Sequence, residues 1–223
     1  MGMNVKEKFP GIFLVDDKLA VRNQVAGWRP FGEQLVSAGK TEYRQWDPNR
    51  SKLAAAIMKG LKTVPIYEGS KILYLGIAHG FTASFISSII GPNGIIYGIE
   101  FAPRVFNELL PVTEKLKNIV PMMADARKPE TYSWVEQCDV VYVDVAQPDL
   151  TEIAIRNCRA FLKPDGHLML AIKTQSIDVT ASAKAVIDKE VEKLKSAGFE
   201  ILDVRSLEPF EERHGFVVAK MPL

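Results

Sequence analysis

Four charged residues stand where apolar runs stop: Glu100 closing I-I-Y-G-I-E, Asp125 after N-I-V-P-M-M-A, Asp144 after V-V-Y-V, and Lys173 closing H-L-M-L-A-I-K. Short apolar runs bounded by turn residues are the pattern of strands buried on both faces. In open α/β sheets, ligands bind beyond the carboxyl ends of the strands, so groups placed there are candidates for chemistry. Glu100 lies twenty residues past Gly80 and is placed to accept the ribose hydroxyls of an adenosine-containing cofactor. Asp125 would accept a hydrogen bond from an adenine amino group. Each carboxylate alone also reads as a solvated strand-end charge, and it is their succession along the chain that points to a nucleotide cleft.

Asp144 and Lys173 extend the series to the next two strands. Neighbouring parallel strands lie about 4.8 Å apart, so the two side chains are expected to meet. That meeting is either a structural ion pair or catalytic machinery, and a position at the mouth of a nucleotide cleft favours machinery. Lys52 falls in the first turn of a helix capped by Ser51, where the helix field disfavours a cation. It needs a nearby anion, or screening by solvent. His214 precedes the last strand in E-E-R-H-G, a loop position where a histidine is otherwise merely solvated.

The elements that must position these groups follow from periodicity. L-G-I-A-H-G-F-T (75–82) joins a strand to a helix, so Gly76, Ala78 and Gly80 present backbone N–H groups and little bulk to the cleft. The spacing is not G-x-G-x-x-G, which argues against a nicotinamide dehydrogenase. Strands are expected at 71–76, 95–100, 118–123, 139–144 and 167–173, with helices from Ser51, through 82–90, from Pro103 with Pro111 breaking or kinking it, through 149–162 and through 181–197. Asp149 reads as the N-cap of its helix. Two final strands, 200–207 and 214–220, have no helix between them. Five β-α units and a closing hairpin predict an α/β fold: a Rossmann-like, seven-stranded, mostly parallel sheet with one antiparallel strand, as in methyltransferases. Residues 1–50 read instead as a small β-rich module, with 9–15 and 19–25 forming a hairpin about Asp16-Asp17-Lys18 and 42–46 adding a strand. The second unit, a methyltransferase-like domain, would span 51–223.

Composition narrows the classes. The 223 residues are 47% hydrophobic and 25% charged, ordinary globular values, and they are enough to bury a substantial core. No apolar run approaches a membrane span and M-G-M-N-V-K-E-K-F-P has no signal-peptide core, so a soluble cytoplasmic protein is expected. Cys138 and Cys158 have no second Cys or His at ligand spacing, and Cys158 sits with Leu150, Ala154 and Phe161 on one helix face, so no metal site is expected. The net charge of +1 lacks the basic excess of a protein that holds nucleic acid unaided.

With N-R-S-K-L-A-A-A-I, Y-L-G-I-A-H-G-F-T-A-S, G-P-N-G-I-I-Y-G-I-E-F, D-A-R-K-P, D-V-A-Q-P-D, A-I-K and L-E-P-F-E-E-R-H in place, the chain resembles fibrillarin and its archaeal fibrillarin-like relatives. The resemblance covers nearly all of the chain and lacks the Gly/Arg-rich arm of the eukaryotic members. It implies S-adenosyl-L-methionine as cofactor and 2′-O-methylation of ribose in rRNA and tRNA. It also implies a box C/D guide ribonucleoprotein, with guide RNA, target RNA, a Nop-domain scaffold and a kink-turn-binding ribosomal-type protein as partners. Carried over by motif, Thr82, Ala83, Glu100, Phe101, Asp125, Ala126 and Asp144, Val145, Ala146, Gln147 would line the cofactor site. Lys52, Asp144, Lys173 and His214 match the family's catalytic set. His79 and Phe81 depart from it, replacing the usual Ser and first Thr of the glycine loop and removing any hydroxyl contact there. A methyltransferase of the same fold acting on a small molecule or protein, and a scaffold without activity, are the rival readings.

Overall fold

The computed structural model describes residues 3–221, so the outermost residues of the two expected units, 1–2 and 222–223, lie outside it. Two sheets organise the chain. The larger has seven strands: β6 (Lys71–Leu75), β7 (Ile95–Glu100), β8 (Ile119–Met123), β9 (Cys138–Val143), β10 (Leu162–Lys173), β11 (Glu200–Ser206) and β12 (His214–Lys220), in the order β11-β12-β10-β9-β6-β7-β8. β6 to β10 run parallel, whereas β12 is antiparallel to both β10 and β11. This is the expected arrangement, with the odd strand inserted one place from the edge.

The period of two in each run decides what its residues bury. In β9, Val140 and Tyr142 join the core on one face of the sheet while Val141 and Val143 join the core on the other. α1 (Lys52–Met58), α2 (Phe81–Ile90) and α3 (Pro103–Lys115) cover the first face. α4 (Leu150–Phe161) and α5 (Ala183–Ser196) cover the second. Cys158 lies there with Leu150, Ala154 and Phe161, and burial pushes its thiol well above the usual range. Both cysteines are free and buried.

Three boundaries differ from expectation. α3 continues unbroken through Pro111, because buried Leu109, Val112 and Leu116 hold the turns on either side while a single backbone bond is lost. α1 ends at Met58, so Leu61 is buried beyond it rather than within it. β10 starts at Leu162, directly after α4, and its register with β9 shifts between Leu162 and His167, which places His167 inside the strand instead of at its start.

The N-terminal sheet has five antiparallel strands, β1 (Val5–Phe9), β2 (Ile12–Val15), β3 (Lys18–Arg22), β4 (Leu35–Ala38) and β5 (Thr41–Gln45), in the order β1-β2-β3-β5-β4. Asp16 and Asp17, both at positive φ, make the expected hairpin turn between β2 and β3. The run 9–15 is not one strand: Pro10-Gly11 turns it back on β1. One inner face, with Ile12, Leu19, Val21 and Trp46, joins the core of the large sheet. Among the described residues no helix is long and apolar enough to cross a membrane.

Candidate active site

A crevice of about 320 Å³ opens at the carboxyl ends of β6, β7, β8 and β9, lined by Gly76, Ala78, Glu100, Asp125, Asp144 and Gln147 among others. Its floor exists because Gly76 is glycine. A Cβ at that position would stand 2.6 Å from the Asp144 carbonyl oxygen, and the residue has φ +76°. Ala78 also adopts positive φ, at 51°, and its N–H donates to Glu100 Oε2 at 3.0 Å. The other Glu100 oxygen accepts from the Ala102 N–H at 2.8 Å. The carboxylate that ends β7 is therefore held by two backbone donors, with lone pairs left for a ligand hydroxyl. Phe101 beside it is 71% exposed, an aromatic face open to the crevice that it lines. Ala126, Val145 and Ala146 also line the crevice, whereas the expected Gly80, Thr82 and Ala83 do not.

Gly80, Thr82 and Ala83 lie behind this wall. Gly80 at φ +85° is the N-cap of α2, Ala83 is fully buried, and the Thr82 hydroxyl donates to Ser51 Oγ at 3.0 Å. Ser51 Oγ also accepts from the Ala54 N–H, capping α1, so Thr82 braces the turn that carries Lys52. The departures His79 and Phe81 have partners of their own. His79 Nε2 lies 2.9 Å from Glu108 Oε2, and Phe81 packs edge-on against Phe31 and Phe85 with the Arg50 guanidinium over its ring.

The anion that Lys52 requires is Asp144. Lys52 Nζ lies 2.8 Å from Oδ1 and 3.1 Å from Oδ2, and both side chains are 21% exposed. The expected direct pairing of Asp144 with Lys173 is not formed, since the lysine straddling both carboxylate oxygens is Lys52. Lys173 ends β10, is exposed and holds no ion pair among the described residues. His214 is not in a loop but opens β12, where it is the register partner of Lys173. Residues opposed across an antiparallel pair share one face of the sheet. His214 Nδ1 lies 2.6 Å from the Glu212 carbonyl oxygen, and a carbonyl only accepts, so Nδ1 carries a hydrogen and donates it there.

One cluster escaped the sequence reading. Arg127, two residues past Asp125, clasps Asp149 through Nε and Nη2 at 2.8 and 2.6 Å, and Nη2 also reaches Gln147 Oε1 at 2.8 Å. Asp149 is the N-cap residue of α4 by position, yet its side chain caps nothing, because the guanidinium has taken it. Its carboxyl is held below the usual range by Arg127. The signal available in sequence was a basic residue between two crevice motifs, but its partners are 22 and 20 positions away.

The fibrillarin family profile matches residues 3–223. The chain belongs to the fibrillarin family. It is 49% identical to the fibrillarin-like rRNA/tRNA 2′-O-methyltransferase of Thermococcus sibiricus, across 99% of this chain and all of that one. Among solved structures it is similar to the Methanococcus jannaschii fibrillarin pre-rRNA processing protein, with TM-score 0.95, 44% identity, and 99% and 98% of the two chains covered. It is also similar to Aeropyrum pernix fibrillarin crystallised with natively bound S-adenosyl-L-methionine, with TM-score 0.90, 45% identity and 98% of each chain covered. A third similar structure is a fibrillarin in complex with Nop5p, with TM-score 0.87, 35% identity, and 98% and 100% coverage.

Proposed function

We infer that this chain transfers the methyl group of S-adenosyl-L-methionine to ribose 2′-oxygens of rRNA and tRNA. It acts as the catalytic subunit of a box C/D guide ribonucleoprotein with a Nop-domain scaffold and a kink-turn-binding protein. The observation that carries the reading is the Lys52–Asp144 pair at the mouth of a crevice whose Glu100 carboxylate is pre-set by two amides. The names of the relatives support the substrate class, and the Nop5p complex of one relative supports the scaffold. A net charge of +1 fits an enzyme whose RNA is held by others.

The crevice suits the cofactor by chemistry. Glu100 offers acceptors for the ribose hydroxyls, Asp125 one for the adenine amino group, and Gly76 leaves room for a close approach. When bound, S-adenosyl-L-methionine supplies a methyl group already activated on a sulfonium. The protein must align the 2′-oxygen and manage its proton. Alignment is worth up to about 7–11 kcal/mol and general-base help about 10²–10⁴-fold, so positioning dominates. An alkylammonium stays protonated near neutral pH. The Lys173 ammonium and the Lys52–Asp144 pair therefore stabilise the developing alkoxide, and the proton leaves late. Methyl transfer from labelled cofactor, measured with guide RNA, partners and target RNA, tests the function. Label on RNA ribose is the expected outcome, and label only on a small molecule or protein would refute it.

A further inference from the structure

We propose that Arg127 is a positioning residue that locks the Gln147 side chain in one amide orientation and so sets the crevice to read adenine. A guanidinium has donors and no acceptor, so the Gln147 group facing it must be the carbonyl oxygen, and the amide NH₂ is turned away from it. The bidentate bond to Asp149 fixes the plane of the guanidinium, which makes the orientation of Gln147 a consequence of the ion pair. The same residue sets the other half of the reader. The Arg127 N–H donates to Asp125 Oδ1 at 2.9 Å, and the Arg156 guanidinium donates to the Arg127 carbonyl oxygen at 2.6 Å, so the backbone here is fixed on both sides. Asp125, Arg127 and Gln147 all line the crevice. One residue thus ties down a carboxylate acceptor and an amide donor that line the same crevice. That pair complements an edge carrying an amino donor next to a ring-nitrogen acceptor, which adenine has. Hypoxanthine presents the reverse, a carbonyl next to an N–H.

This inference rests on the cofactor reading, and binding experiments separate the two. Titration calorimetry compares S-adenosylhomocysteine with its inosine counterpart on the full chain. The wild type is expected to prefer the adenosine form by roughly tenfold or more, the size of a well-placed hydrogen bond pair. Arg127→Lys retains the charge but loses the fork, and it and Gln147→Ala should each lower the ratio severalfold, toward the preference that Asp125 alone supports. The double variant should lose no more than either single one. Gln147→Glu, isosteric and acceptor-only, should move the preference toward inosine and carries the test if Arg127→Lys does not fold. A ratio unchanged in Arg127→Lys, or both affinities falling together, would make Arg127 merely structural and overturn the proposal, as would an adenine preference undiminished from wild type in Gln147→Ala or Gln147→Glu. A wild type that binds neither compound would overturn the cofactor reading itself.

Discussion

Asp144 holds one ammonium across both of its oxygens, and that geometry separates the two lysines of the site. Lys52 is tied to a partner and partly buried, whereas Lys173 is exposed and unpaired among the described residues. Lys52→Ala should lower single-turnover methylation by about 10²–10³-fold, the scale for removing one preorganised charge donor. It should change S-adenosylhomocysteine affinity little, because Lys52 does not line the crevice. Calorimetry beside single-turnover kinetics reads both. If Lys173 acts by charge, Lys173→Arg should keep the rate within about tenfold while Lys173→Ala should not, and collapse of the Arg variant would instead make Lys173 a base. Asp149 gives a pH prediction. Its carboxyl is depressed in the fold by the hydrogen bond from Arg127. The stability that this contributes is full above its unfolded value of about 3.9 and is lost as pH falls through the lower folded value. The stability gap between wild type and Arg127→Lys should therefore close on acidification below that range in denaturation midpoints.

At the scale of elements, the turn after β6 is the part with least freedom. Gly76→Ala meets both a carbonyl oxygen at 2.6 Å and a positive φ, so β9's tip must move. A cost of about 1–3 kcal/mol is expected, together with a loss of methylation larger than the loss of stability explains. Thermal unfolding and turnover of the same preparation measure both, and wild-type values in each would show that the turn has slack. This level also shows what sequence conveys. β7, β8, β9 and β10 were legible because each is an apolar run with a charge at or just past its end, and Lys52 was legible because a cation in a first turn demands an anion. β4 was missed since L-V-S-A, four residues with intermediate burial, has no clear period. Asp149 does hold the N-cap position read for it, but its ion pair with Arg127 was not legible, because an N-cap position and an ion-pair partner look the same locally. Arg127 stayed invisible because only the fold brings its partners to it.

At the scale of the molecule, the N-terminal sheet is fastened to α2 of the large-sheet core by a buried charge. Arg44 and Glu33, with side chains 1% and 2% exposed, pair at 3.0 Å, and Arg44 also donates to the Ser84 carbonyl oxygen of α2. The guanidinium lies over Phe85, on whose ring Trp46 stacks at 4.8 Å. Removing one partner strands the other, so Glu33→Ala should cost about 3–5 kcal/mol in chemical denaturation. A shift under about 1 kcal/mol would mean that the two units are held by apolar packing alone. A net charge of +1 lacks the basic excess of a protein that holds nucleic acid unaided, which under the proposed function leaves RNA placement to partners. The most direct measurement is mapping of 2′-O-methyl groups on target RNA after reaction in the reconstituted particle, with wild type beside Asp144→Ala. A methyl group at the guide-selected nucleotide is expected with wild type, and a loss of at least about 10²-fold in rate with Asp144→Ala. Methylation at the wild-type rate in that variant would contradict the role given to Asp144.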